Sequence, residues 1–103
     1  MILHLSGRIN SHTCDQLQET IHCIFRQGCF RIILDLAGIE YFSSAGLGVV
    51  INSISTAQEN GGNVVMLKPS VQVSTMIGLI GLGDDLLTAY DLPSAFSYLG
   101  PVA

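Results

Sequence analysis

Asp35-Leu36-Ala37-Gly38-Ile39-Glu40-Tyr41-Phe42-Ser43-Ser44-Ala45-Gly46-Leu47-Gly48 is the stretch that decides how this chain folds. The run that leads into it, Phe30-Arg31-Ile32-Ile33-Leu34-Asp35-Leu36, is β-branched and almost continuously apolar, the pattern of a central strand covered on its faces. The run that follows is apolar at helical spacing. Leu47, Val50, Ile51, Ile54 and Ala57 form a buried stripe, Asn52, Ser53, Thr56, Gln58 and Glu59 face outward, and Gly61-Gly62 ends the helix. Residues 37–42 read as the connection. Two serines stand at the junction. Ser43 is placed to cap the helix, because its hydroxyl can accept from a free N–H of the first turn. Ser44 falls within that turn, where unpaired N–H groups and the positive end of the macrodipole favour negative charge. A phosphoryl group on Ser44 is therefore electrostatically compatible with the fold.

Outward from this centre the chain alternates strand and helix. Residues 2–6 read as a short strand broken by Gly7, and residues 8–13 as a polar loop. Cys14, Leu17, Ile21, Ile24 and Phe25 share one face of a first helix, with Gly28 just past its end. Beyond the Ser43 helix, Val64-Val65-Met66-Leu67 is a strand and Lys68-Pro69-Ser70 a turn, with Ser70 available as a cap. Val73, Met76, Ile77 and Ile80 form the inward face of a third helix, closed by Gly81 and Gly83. Val71 and Leu79 fall off that stripe and are candidates for exposed apolar contact. Residues 86–90 read as a short strand. Asp91-Leu92-Pro93 opens a last helix, with Pro93 in its first turn and Ala95, Phe96 and Leu99 packing it down. Strand–helix repeated four times with short connections predicts an α/β sandwich on a small, mostly parallel or mixed sheet with about four helices. Residues 1–103 make one domain.

Composition narrows the function. Hydrophobic residues make up 49% and charged residues 12%, which excludes a disordered chain and predicts apolar surface left for a partner. The net charge is −4 with only four Lys and Arg, so no basic face is available for nucleic acid or an anionic bilayer. No apolar run approaches the roughly 20 residues of a spanning helix, and the N-terminus lacks the pattern of a signal peptide. Cys14, Cys23 and Cys29 are odd in number and lack a CxxC spacing, as expected of free thiols. These features predict a cytoplasmic protein without direct membrane insertion.

The catalytic readings fail on spacing. A hydrolase elbow needs G-x-S-x-G, but Phe42 occupies the first glycine position before Ser44, and no carboxylate is evident to orient His4, His12 or His22. A phosphate-binding G-x-x-x-x-G-K-[ST] is absent, and Ile51 replaces the third glycine of G-x-G-x-x-G. Gly46-Leu47-Gly48 is better read as close packing of the helix start on the sheet. His22 and Cys23 are adjacent on a helix and point about 100° apart, so they do not converge on a metal. No cofactor is expected. Asp35 keeps interest because the C-terminal ends of α/β strands form ligand crevices.

With those residues in hand, the chain resembles the STAS domains of anti-sigma factor antagonists and of sulphate-transporter tails. Leu5-Ser6-Gly7-Arg8-Ile9-Asn10 resembles the family's L-x-G-x-L-D segment. Ile33-Leu34-Asp35-Leu36 followed by Ile39-Glu40-Tyr41-Phe42-Ser43-Ser44-Ala45-Gly46-Leu47-Gly48 resembles its D-L-x-x-V-x-x-[IM]-D-S-[ST]-G-L-x signature. Ser43 takes the place of the signature's Asp and Ala45 that of the following Ser or Thr. The resemblance implies a non-enzymatic binding module. Its partners would be an anti-sigma factor that is also a serine kinase, which phosphorylates Ser44, and a phosphatase that resets it. The partner surface would comprise Asp35, Tyr41, Phe42, Ser43, Ser44, Ala45, Gly46 and Leu47, on a monomer or weak homodimer. The resemblance also implies a further strand beside the Leu5–Asn10 segment, so that the sheet edge here is short or filled by a second chain. The alternative it allows is a STAS component of a membrane transport assembly, docking without phosphorylation.

Overall fold

A computed structural model describes residues 1–80 and 87–99. Its elements run β1 (Ile2–Ile9), α1 (Cys14–Arg26), β2 (Arg31–Phe42), α2 (Ser44–Glu59), β3 (Asn63–Leu67), α3 (Val71–Ile80), β4 (Leu87–Ala89) and α4 (Leu92–Leu99). Among the described residues the strands form one sheet in the order β1-β2-β3-β4, every neighbouring pair parallel. Parallel neighbours need crossovers, and α1, α2 and α3 supply them. The alternating α/β pattern expected from the sequence is thus present, with the sheet wholly parallel.

β2 is the axis of the sheet, and it is longer than the sequence suggested. Arg31 to Asp35 pair with β3 on one side, while Ile33 to Asp35 also pair with Ile2 to His4 of β1 on the other. Past Asp35 the strand runs on beside β1, its one strand neighbour there among the described residues, until Ile9 meets Phe42. Residues 37–42 are therefore strand and not connection. β2 carries two register shifts against β1: His4 and Ser6 face Asp35 and Gly38, and Gly7 and Arg8 face Ile39 and Tyr41. Each shift gives β2 one residue more than its partner, as in a bulge. Its core-facing residues are consequently Ile32, Leu34, Leu36, Ile39 and Phe42, two apart at first and then three apart. Gly7, at φ 83°, does not end β1 but lies inside it, at the second shift.

The sheet is covered on both faces. On one, the β2 residues just named pack with Val64 and Met66 against Leu17, Ile21 and Phe25 of α1, Leu47, Val50 and Ile54 of α2, and Val73 and Ile77 of α3. On the other, Ile33, Val65, Leu67 and Ala89 are closed by Ala95 of α4, with Leu99 at the margin. Phe96, expected to pack, is 51% exposed. Ser53, expected to face water, is buried, and its hydroxyl donates to the Val49 carbonyl at 2.8 Å, so the helix itself satisfies the group. Ile51 is only half-buried. Val71 and Leu79 are exposed as expected, at 84% each. Gly81, Gly83 and Leu86 lie outside the described residues.

Candidate functional site: the turn between β2 and α2

The end of β2 and the start of α2 are held from three directions. The Ser43 N–H donates to the Ile9 carbonyl at 2.7 Å, tying the turn to β1. The Ser43 hydroxyl accepts from the Gly46 N–H at 3.1 Å, and its carbonyl accepts from the Leu47 N–H at 3.0 Å, so Ser43 is the N-cap of α2. From the third side, the Gln72 side chain of α3 grips the main chain of Phe42. Its Oε1 accepts from the Phe42 N–H at 3.1 Å, and its Nε2 donates to the Phe42 carbonyl at 2.9 Å. Sequence reasoning missed Gln72, because nothing local ties a residue to one 30 positions away.

Gly46 brings the helix against the strands. A Cβ at this position would stand 2.6 Å from Cγ2 of Ile9 and 3.0 Å from Cε1 of Phe42. The packing role expected for the glycine pair therefore belongs to Gly46. Gly48 has nothing within 4 Å of an added Cβ.

The signature residues divide by exposure. Phe42, Gly46 and Leu47 are buried, Ser43 and Tyr41 are partly so, and Ser44 and Ala45 are exposed. Among the described residues the Ser44 side chain has no hydrogen-bond partner, in contrast to its neighbour. Tyr41 lies under the guanidinium of Arg8, 4.9 Å from the ring centroid, a cation–π contact across the β1–β2 pair. No acidic or basic residue stands in the first turn of α2, so no charged side chain of that turn offsets the helix dipole.

Asp35 is placed differently from expectation. The strand ends at Phe42, so Asp35 sits mid-strand, roughly 20 Å of chain before the turn at the usual rise per residue. His4, read from sequence as lacking a carboxylate, has one: its Nδ1 lies 2.7 Å from Oδ2 of Asp35. This His–Asp pair does not meet the serines, so no triad forms. The Asp35 carboxyl is held below its ordinary value of 3.8, first by the Ala37 N–H donating to Oδ1 at 3.0 Å, against some desolvation, and then by His4 and Lys68. A carboxyl whose pKa is lowered by folding stabilises the native state above its unfolded value, and that contribution is lost as pH falls through the folded value. The melting-temperature gap between wild type and Asp35→Asn should therefore be greatest well above pH 3.8 and shrink as the pH falls below it. A gap independent of pH in thermal melts would assign the effect to packing instead.

Among the described residues no three His, Cys, Asp or Glu side chains gather as a metal site. The cysteines are free, with Cys14 in the core and Cys23 exposed. No helix of the described residues is long and apolar enough to cross a membrane.

Sequence and fold comparisons agree with this architecture. The family model described as "Mlab, STAS domain" matches residues 1–89, and the chain belongs to the STAS domain family. An anti-sigma F factor antagonist of Paenibacillus polymyxa is 28% identical over 83 residues, spanning 80% of this chain and 71% of that protein. The crystal structure of TM1081 from Thermotoga maritima, described as a candidate anti-sigma factor antagonist, shares the fold with a TM-score of 0.88 and 20% identity, over 97% of this chain and 86% of that one. The Bacillus cell-fate determinant SpoIIAA in its phosphorylated form shares it with a TM-score of 0.70 and 22% identity, over 94% and 87% of the two chains.

Proposed function

We propose that this STAS domain is an anti-sigma factor antagonist, a binding module that docks an anti-sigma factor through the β2–α2 turn and is switched off by phosphorylation of Ser44. The observation that carries the reading is the contrast between the two serines. The Ser43 hydroxyl is committed to the cap, whereas Ser44 is exposed in the first turn with its hydroxyl unengaged among the described residues. A kinase can reach Ser44 without opening the helix. The phosphate, carrying about −1.5 to −2 charges, then stands at the positive end of α2, where the domain tolerates it. A partner packed across the same turn cannot accommodate that charge, so it leaves without the antagonist refolding. The relationship to anti-sigma factor antagonists supports this assignment. The same reading makes the kinase function part of the partner, leaves a separate phosphatase to reset the switch, and gives this chain no chemistry of its own.

The test is incubation with a cognate anti-sigma kinase and labelled ATP. Wild type should take up label and Ser44→Ala should not; equal labelling of both removes Ser44 as the switch. A second reading is a docking component of a membrane transport assembly that works without phosphorylation. It is favoured by Val71 and Leu79, each 84% exposed on α3. On that reading no kinase labels the wild type, and partner capture is indifferent to charge at position 44.

A further inference from the structure

Among the described residues, β2 beyond Asp35 has a neighbouring strand on one side only, because β3 ends its pairing at Leu67. The other edge of Phe42 would present a free N–H and C=O at the point where the chain turns into α2. Gln72 fills this gap. A primary amide carries both a donor and an acceptor, and in this orientation it satisfies both main-chain groups of one residue, as an adjacent strand would. Ser70 supports the grip: its hydroxyl accepts from the Val73 N–H at 3.2 Å and its carbonyl accepts from the Ser74 N–H at 2.9 Å, which fixes the first turn of α3 where Gln72 sits. Phe42 is two residues from Ser44, and the intervening Ser43 is bonded to β1 and to Gly46. The main chain entering α2 is thereby pinned between β1 and α3.

We propose that Gln72 is the positioning residue of the Ser44 turn: its amide replaces a missing strand neighbour at Phe42 and holds the main chain in the one geometry from which Ser44 is presented to a kinase. The kinase half rests on the Ser44 reading above; the geometric half does not. Gln72 lies on an exposed position of α3, where a side chain serving only solubility would be freely replaceable.

The experiment uses the full chain and two variants. Gln72→Met keeps the length and removes both bonds. Gln72→Glu keeps an acceptor for the Phe42 N–H and removes the donor to its carbonyl. Amide hydrogen exchange is read at Phe42, Ser43 and Gly46, with Ile33 and Val65 as core references. Gln72→Met should speed exchange at Phe42 about tenfold and loosen Ser43 and Gly46, with the references within about twofold, and Gln72→Glu should recover only part of the protection at Phe42, because its carboxylate accepts from the N–H but opposes the carbonyl oxygen. Unchanged exchange at Phe42, or an equal acceleration of the core references, overturns the proposal. In the kinase assay, Gln72→Met should lower kcat/KM for Ser44 labelling by the factor by which it lowers the fraction of molecules holding the turn, and Gln72→Glu should recover part of that loss. Wild-type labelling with an unaltered rate in Gln72→Met overturns the positioning role and leaves the Ser44 switch standing. If the wild type takes no label, the switch falls, and the exchange data alone decide whether Gln72 holds the turn.

Discussion

The Ser44→Asp variant should lose the proposed anti-sigma partner while melting at the same temperature as wild type or slightly above it. Ser44 is exposed and its hydroxyl is unengaged among the described residues, so the substitution removes no contact. The first turn of α2 carries no other acidic residue, so the new carboxylate meets the helix dipole without a like-charged neighbour, worth about 0.3–1 kcal/mol in favour of the fold. In the complex the same carboxylate would be buried without a counter-charge. A penalty of about 3 kcal/mol weakens binding about 100-fold, readily seen by calorimetry. Ser43→Ala should behave in the opposite way. Losing the cap to Gly46 costs about 1 kcal/mol, which lowers the melting temperature of a domain this size by about 5 °C. A Ser44→Asp protein that binds normally but melts early would show that Ser44 is structural and the switch assignment wrong.

Gly62→Ala should be the most damaging single-methyl change among the glycines described. The end of α2 folds back so that Gly62 donates to the Ala57 carbonyl at 2.8 Å, and the next residue, Asn63, donates to the Phe30 carbonyl at 2.9 Å. A Cβ at position 62 would run directly into the carbonyl group of Phe30. The obstacle is main chain at the start of β2, and the Asn63 bond holds it in place, so neither side can yield as a flexible side chain would. Overpacking of this kind costs about 3 kcal/mol, or about 15 °C in melting temperature. Gly48→Ala is the matched control. It lies inside α2 with nothing within 4 Å of an added Cβ, so the same methyl should stabilise by up to about 1 kcal/mol through helix propensity. Thermal melts of the pair should move in opposite directions. Equal shifts would mean that the α2–β2 junction is looser than the packing at Gly62 implies.

These residues separate what local signals carry from what they cannot. The helices of the described chain were legible from sequence because their signals are short-range: apolar spacing, Ser43 before the first turn of α2, Gly28 after α1, Asp91 before α4. In the structure Ser43 caps α2, and Asp91 caps α4 by accepting from the Ser94 N–H at 2.8 Å, which also lowers the Asp91 carboxyl pKa. The α/β alternation and the position of Ser44 at a helix start follow from such signals alone. The length of β2 does not. Strand recognition depends on an unbroken period of two, and the two bulges move Ile39 and Phe42 to a spacing of three, so a continuous strand reads as a loop. Which side of that strand lacks a neighbour, and hence why Gln72 reaches back across 30 residues to Phe42, depends on where β3 stops. The His4–Asp35 pair likewise exists only because β1 and β2 are in register at that point. Spacing along the chain was enough to place Ser44 on an electropositive helix start; the packing of β1, β2 and α3 around Phe42 decided how firmly that start is held, because those contacts join residues with no shared local pattern.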